Sequence, residues 1–158
     1  MLERPGDYAP CPWNPQRLEV EHMDALDLRY EDGSFDGVFS SSSIEHFGGH
    51  AELARALGEL YRVLKPGGVA SLSTEYRLRG PGPGLPGTLL FDARELVELV
   101  VDAQPWKPVE PLDLGLSLRT RASALPRTGA ETRRPHIVLE EGEYTFTSVH
   151  LALRKPID

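Results

Sequence analysis

Two stretches decide the fold of this chain: EDGSFDGVFSSSSIEHF at residues 31–47 and ELYRVLKPGG at residues 59–68. The first opens with a polar turn followed by an apolar run, which predicts a strand over 36–40. In the second stretch and in the residues just before it, apolar residues recur at helical spacing and predict a helix over 51–64. The closing KPGG ends that helix, because the residue before a proline avoids helical geometry and glycine accepts a positive φ. A second strand, parallel to the first, is predicted over 69–74.

Outward from this unit, the remaining chain predicts three more strands and one helix. Apolar and polar residues alternate over 18–23 as in a half-buried strand. A helix is predicted over 92–103, after a stretch dense in glycine and proline at 80–87 that predicts a flexible loop. The segments 137–140 and 144–153 alternate around Glu-Gly and predict a hairpin.

Together these elements predict an α/β fold, with a mostly parallel sheet that ends in a C-terminal antiparallel hairpin. Residues 1–17 hold four prolines and are predicted to be an irregular lead-in. Residues 18–158 are then a single domain, as expected for a chain of this length.

Composition excludes several classes of protein. The chain has 158 residues, 40% hydrophobic and 26% charged, which is typical of a globular domain. Its net charge of −7 argues against nucleic acid as a partner, since binding there depends on cationic contacts to phosphate. A single cysteine allows no intrachain disulfide, and no apolar run is long enough to span a membrane. These features predict a cytoplasmic protein.

The two stretches, with MDA at 23–25 and FTSVHLALRK at 146–155, resemble the second half of a class I S-adenosylmethionine-dependent methyltransferase of the small-molecule, "type 11" kind. The resemblance implies a Rossmann-like fold, S-adenosylmethionine as cofactor, and transfer of a methyl group to a small-molecule or saccharide acceptor. The family's glycine-rich first motif has no counterpart in these residues, so the resemblance implies an N-terminally truncated, partial methyltransferase domain over 18–158. The alternative is a catalytically inactive remnant, or a non-enzymatic binding module on the same fold.

The resemblance also assigns site residues. Asp24 would accept a hydrogen bond from the adenine amino group, the Ala25 backbone would meet the ring edge, and Met23 would pack on its face. Ser40 and Ser41 would border the methionine end of the cofactor. On the acceptor side it places Glu75 and Tyr76, which follow the predicted strand 69–74.

His46 is the one histidine positioned where a catalytic base could act on an acceptor hydroxyl. The alternative is a histidine that packs beside Phe47 in the first turn of a helix. Ser42 and Glu45 have the spacing of a capping box, which explains them without a ligand. His46 and His50 are separated by two glycines that break the helix between them, so no metal site is predicted.

The absent first strand of the family's sheet would leave one flank of strand 36–40 vacant. An unpaired strand edge is a template for association, because its backbone groups have no partners. We therefore expect either that segment 18–23 pairs there, or that a second copy of the chain does so and forms a homodimer. With half of the family's cofactor contacts missing, we expect this chain alone to bind the cofactor weakly.

Overall fold

The computed structural model describes residues 14–127 and 137–157, together with Gly6 and Pro12. Most of the predicted lead-in therefore lies outside the described residues. The strands are β1 (Phe35–Ser41), β2 (Leu64–Arg79), β3 (Gly84–Leu85), β4 (Thr88–Leu89), β5 (Lys107–Pro108), β6 (Leu125–Pro126), β7 (Val138–Glu141) and β8 (Tyr144–Arg154). The helices are α1 (His50–Val63), α2 (Ala93–Leu96) and α3 (Leu118–Arg121), and a π-helical turn, Val97–Val101, continues α2. Single 3-10 turns lie at Pro15–Arg17 and Ile44–His46.

One sheet organises these elements, with the strand order β1-β2-β8-β7-β6 and β5 paired to the far end of β8. The predicted parallel pair is confirmed, since β1 runs parallel to β2 from Gly37–Val69 to Ser41–Ser73. The prediction of a mostly parallel sheet is wrong. The longest pairing, between β2 and β8, is antiparallel, and so is that between β8 and β7. The reason is that β8 inserts between β2 and β7, so the hairpin contributes an inner strand and not only an edge.

The helices cover one face of the sheet. Leu53 and Leu57 of α1 belong to the same buried cluster as Leu72 of β2 and Leu151 of β8. The opposite face is more polar: Ser71 on β2 is half-buried, and its hydroxyl lies 2.8 Å from the exposed His150 imidazole of β8. No helix among the described residues has the length and hydrophobicity needed to cross a bilayer.

The predicted strand over 18–23 is wrong. These residues join no strand, and Leu18 and Val20, the apolar half of the alternation, are 47% and 42% exposed. Local bonds hold the segment's end instead, since Arg29 donates from its guanidinium to the His22 carbonyl. An alternating pattern forms a strand only where a neighbour accepts its backbone groups. Among the described residues β1 pairs with β2 alone, so the rearrangement of 18–23 onto β1 does not occur.

The loop predicted over 80–87 includes a short strand, and its flexibility stays a prediction. Within this stretch and just beyond it, β3 and β4 form a short antiparallel hairpin. Gly84 has a φ of +136°, and a β-carbon there would lie 2.5 Å from the Thr88 carbonyl oxygen. Only glycine fits this close approach of two backbones, so Gly84 allows β3 and β4 to pair.

The segment before β1 is anchored to the end of α1 by one ion cluster. Arg62 donates to the Leu28 and Tyr30 carbonyls and to the carboxylates of Glu59 and Asp32. Glu59 in turn accepts a hydrogen bond from the Leu28 amide at 2.8 Å. The hydrogen bonds from Arg62 are the main cause that lowers the pKa of Glu59 from 4.5 to about 2.

This cluster predicts a specific loss of stability in acid. Because the folded-state pKa of Glu59 is below its unfolded value, its contribution is complete above about pH 4.5 and is lost as the pH falls towards 2. Urea unfolding at pH values across this window should show the free energy of unfolding falling more steeply in the parent chain than in Glu59→Gln. Glu98→Gln, at a carboxylate that is 57% exposed, is the control. An equal slope in the parent and in Glu59→Gln would refute the assignment.

Candidate active site at the carboxyl ends of β1 and β2

The chain leaves β1 through a constrained turn. Ser42 has a φ of +46°, a left-handed conformation that costs a non-glycine residue about 1–2 kcal/mol. It is held there because its amide donates to the Ser73 carbonyl at 3.1 Å and lies 3.0 Å from the Ser73 hydroxyl. The capping box predicted from Ser42 and Glu45 does not form, because Glu45 bonds instead to the neighbouring strand. Backbone strain of this kind is concentrated at functional sites.

Glu45 follows in the 3-10 turn and is only 1% exposed. One of its carboxylate oxygens, Oε2, accepts a hydrogen bond from the Thr74 hydroxyl of β2 at 3.1 Å. The other oxygen, Oε1, is buried and has no hydrogen-bond partner in the part of the chain that the structure describes. Buried polar atoms are nearly always satisfied, so a buried carboxylate oxygen with no protein partner among the described residues is unusual.

His46 lies beside that oxygen. Its Nδ1 is 2.9 Å from the Gly87 carbonyl oxygen, which can only accept, so Nδ1 donates and carries the proton. In the neutral imidazole this leaves Nε2 as the unprotonated nitrogen, 4.0 Å from Glu45 Oε1. The side chain is 53% exposed, so a ligand can reach it. The predicted base therefore has a defined tautomer and a carboxylate facing its basic nitrogen.

Two further residues predicted for the acceptor side follow on β2. Glu75 is half-buried, and burial followed by the charge of Glu45 raises its pKa above the ordinary value of 4.5. Its carboxylate lies 3.4 Å from the Ser148 hydroxyl of β8. Tyr76 pairs with Phe91, whose amide donates to the Glu75 carbonyl. Glu75 and Glu45 thus place two carboxylates near one another at this edge of the sheet.

The residues predicted for the cofactor occupy two places. The Ser40 hydroxyl bonds to Ser43 at 2.6 Å, and Ser41 is exposed at the end of β1. The segment around Asp24 precedes the residues anchored to α1, and no bond joins it to the serines among the described residues. Asp24 is exposed and uses Oδ1 to accept from the Leu26 amide, while Met23 Sδ accepts from the Arg29 amide.

The two places would serve the two ends of the implied cofactor, the adenine end at Asp24 and the methionine end at Ser41. The outward carboxylate of Asp24 retains acceptor capacity for an amino group, and the hydroxyl of Ser41 is accessible to a polar end group. Ala25 is half-buried beside Asp24 and offers backbone and methyl contact.

Sequence reasoning missed the groove beside His46. We call this the hairpin groove: it has a volume of 660 Å³ and is lined by His46, Pro83, Leu85, Pro86, Thr88 and Tyr144, among others. The Tyr144 hydroxyl donates to the Gly84 carbonyl at 2.9 Å, which ties β8 to the β3–β4 hairpin. The one sequence signal near the groove was the density of glycine and proline around these residues. It predicts a turn, but it does not indicate that a groove lies beside the turn.

Comparison with known proteins agrees with this architecture. A family model described as a methyltransferase domain matches residues 5–72. A demethylmenaquinone methyltransferase of Thermus thermophilus is 49% identical over 53 residues, which are 32% of this chain and 23% of that protein. A probable S-adenosylmethionine-dependent methyltransferase of Mycolicibacterium smegmatis is 35% identical over 92 residues, 55% of this chain and 35% of that protein.

Among solved structures, a methyltransferase-like protein from Bacillus halodurans shares the fold with a TM-score of 0.56, at 17% identity. The likeness covers 89% of this chain and 79% of that one. This chain therefore has the Rossmann-like fold of the class I S-adenosylmethionine-dependent methyltransferases, and its residues 5–72 are similar to the methyltransferase-domain family. The matched segments make up about a quarter to a third of the two curated relatives.

Proposed function

We propose that this chain serves S-adenosylmethionine-dependent methyl transfer to a small-molecule acceptor. The observation that carries the proposal is His46, whose Nδ1 donates to Gly87 and whose Nε2 is left as the base at the edge of the hairpin groove. Ligands of open α/β sheets bind beyond the carboxyl ends of the strands, and the groove lies there. The relatives described above as methyltransferases support the reaction class.

The cofactor, when bound, supplies a methyl group on a sulfonium whose leaving group is a neutral thioether, so no acid is required of the protein. Met23, Asp24 and Ala25 would hold its adenine end, and Ser40 and Ser41 its methionine end. His46 would take the proton of an acceptor hydroxyl at Nε2. The Glu45 carboxylate, 4.0 Å from Nε2, would then face the imidazolium. Glu75 and Tyr76 would border the acceptor.

The alternative is a binding module on the same fold that performs no transfer. The free edge of β1 favours a partner, because it has no strand neighbour among the described residues and presents Phe39 at 78% exposure. We propose a second copy of the chain as that partner, which would form a homodimer. Unpaired edges that expose apolar side chains associate readily. Such a homodimer is compatible with methyl transfer as well, since the β1 edge and the hairpin groove are separate surfaces.

Binding of the demethylated cofactor, S-adenosylhomocysteine, tests the assigned cofactor residues. In calorimetric titrations at equal ionic strength, Asp24→Ala should weaken binding at least about tenfold, equivalent to about 1.4 kcal/mol, because it removes the acceptor for the amino group. Asp27→Ala is the matched control, at an exposed aspartate three residues along. Equal affinity in the two variants would remove Asp24 from the site. Binding without methyl transfer to any acceptor would favour the module.

A further inference from the structure

The sheet has a second face, opposite the helices, which we call the open face. Its side chains come from alternate positions of three neighbouring strands: Phe39 and Ser41 on β1, Val69, Ser71, Ser73 and Glu75 on β2, and Ser148, His150, Ala152 and Arg154 on β8. Each of these residues is exposed or half-buried. Parallel strands such as β1 and β2 are normally covered on both faces, so a second layer is expected on this one.

Phe39 is the largest side chain that projects from the open face. It is 78% exposed, and its partner across β1 and β2 is Ser71. Ser71 in turn pairs with Ala152 of β8, so the row that begins with the aromatic ring continues with two small side chains. A surface that combines a protrusion with small neighbours can be complementary to a second copy of itself.

The two ends of the open face carry opposite charges. Arg154 pairs with Val69 at one end, and Ser148 pairs with Glu75 at the other. The Arg154 guanidinium donates to the Gly67 carbonyl at 2.8 Å, which leaves further N–H groups for a carboxylate. Burial raises the pKa of Glu75, so a cation facing this carboxylate would favour its charged form.

These charges select one of two ways to stack two copies face to face about a two-fold axis. With the axis along the strands, each end meets the same end of the other copy, which brings the two Glu75 carboxylates together. With the axis across the strands at the level of Leu72, the ends are exchanged, and Arg154 of one copy lies above Ser148 of the other, beside Glu75. Like charges brought together in an interface oppose association, so the second arrangement is favoured.

The same axis also places large side chains above small ones. Leu72 pairs with Ser40 and Leu151, so its level lies midway between Phe39 and Ser41 on β1, and midway between His150 and Ala152 on β8. Rotation about the axis therefore brings Phe39 above Ser41 of the other copy. It likewise brings His150 above Ala152. Stacked sheets lie about 10 Å apart, a gap that one large side chain facing a small one can fill.

We infer that two copies of the chain stack through their open faces, with the two-fold axis across the strands at the level of Leu72. This rests on the homodimer proposed above and specifies its contact as the open face, not backbone pairing along the β1 edge. Such a dimer covers Ser41 and Glu75, which the proposed function assigns to cofactor and acceptor. It is therefore the state of the chain without ligands.

Sedimentation equilibrium of the full chain, without added cofactor, measures the association. The parent should show a monomer–dimer equilibrium. Glu75→Arg and Arg154→Glu should each weaken the dimer at least about tenfold, because each brings two like charges together. The double variant, which exchanges the two charges, should recover most of the parent affinity. Arg55→Glu, at an exposed arginine of α1 across the sheet, changes the net charge as Arg154→Glu does and should leave the affinity unchanged.

Two further measurements complete the test. Phe39→Ala alters only an exposed side chain and should also weaken the dimer at least about tenfold, so it serves where a charge variant fails to fold. Hydrogen exchange in the dimer should leave the β1 amides that face away from β2 as fast as in the monomer, whereas edge pairing would slow them.

The inference would be overturned by a chain that stays monomeric up to about 1 mM, by single charge variants that associate like the parent, by a double variant no tighter than the single ones, or by slowed exchange along the β1 edge. None of these measurements involves methyl transfer or S-adenosylhomocysteine. A failure of the proposed function would therefore be seen separately, in the calorimetric titrations.

Discussion

Leu72→Ala is expected to lower the free energy of unfolding by about 2–5 kcal/mol, which is a large fraction of the stability of a domain of this size. Leu72 is fully buried at the centre of β2, where it is paired with Ser40 of β1 on one side and Leu151 of β8 on the other. Truncation would leave a cavity between the sheet and α1 that neither neighbour can fill. Urea unfolding followed by circular dichroism measures the loss.

The matched control is Leu118→Ala in α3, where the leucine is 86% exposed. That variant should differ from the parent by no more than about 0.5 kcal/mol. If Leu72→Ala unfolded with a midpoint as close to the parent as this, the sheet would not be the core of the molecule.

Arg77→Met is expected to cost about 2–4 kcal/mol, because it removes the cation from a largely buried cluster and leaves its acceptors unpaired. Arg77 is 8% exposed. Its guanidinium donates to the Leu90 carbonyl, to Asp92 at 3.1 Å and to Glu95 at 2.8 Å. These bonds connect β2 to the first turn of α2 and to the base of the hairpin groove.

Arg94→Met tests whether the loss of stability in Arg77→Met comes from removing a buried cation and not from the change in net charge. Arg94 is 77% exposed, and its guanidinium is 4.0 Å from Glu98. Exposed pairs of this kind contribute about 0–1 kcal/mol. Both variants change the net charge equally, so thermal unfolding at one ionic strength compares them directly. Comparable destabilisation by the two would show that Arg77 acts only through long-range charge.

The unit from β1 to β2 could be predicted from sequence because local and tertiary preferences agree there. The apolar residues of α1 recur on one face, and this face is the one that is buried against the sheet. The same agreement explains the β7–β8 hairpin. Residues 18–23 show the opposite case, since their alternation is as regular but no neighbouring strand pairs with them.

The KPGG that ends α1 shows how tertiary pairing extends an element beyond its local signal. The sequence predicts a turn there, and Gly67 does have a φ of +81°. Even so, the Gly67 amide donates to the Lys155 carbonyl, and the Lys155 amide donates to the Gly68 carbonyl. These hydrogen bonds to a residue far along the chain make the turn part of β2. A sequence pattern confined to the neighbouring residues could not indicate this pairing.

The candidate site was predictable only in part, for a related reason. His46 could be proposed from the sequence because it closely follows a predicted strand, and strand ends converge at one edge of a sheet. Its partner Gly87 lies 41 residues away, and the Tyr144–Gly84 contact that shapes the groove joins residues 60 apart. Such contacts depend on the completed topology. The roles assigned to Met23, Asp24, Ala25, Ser40 and Ser41 stay predictions until cofactor binding is measured.

The antiparallel pairing of β2 with β8 also has a kinetic consequence. It joins residues such as Ser71 and His150, which are 79 positions apart, so the chain must close a long loop before the central strand gains its second neighbour. Loop-closure entropy makes such pairings slow, and domains dominated by them refold in milliseconds to seconds, not microseconds. We therefore expect the groove, which draws Tyr144 from β8, to be assembled late in folding. Until β8 pairs with it, β2 has one unpaired edge. The time that β8 takes to pair therefore sets how long another chain can pair with β2 in its place.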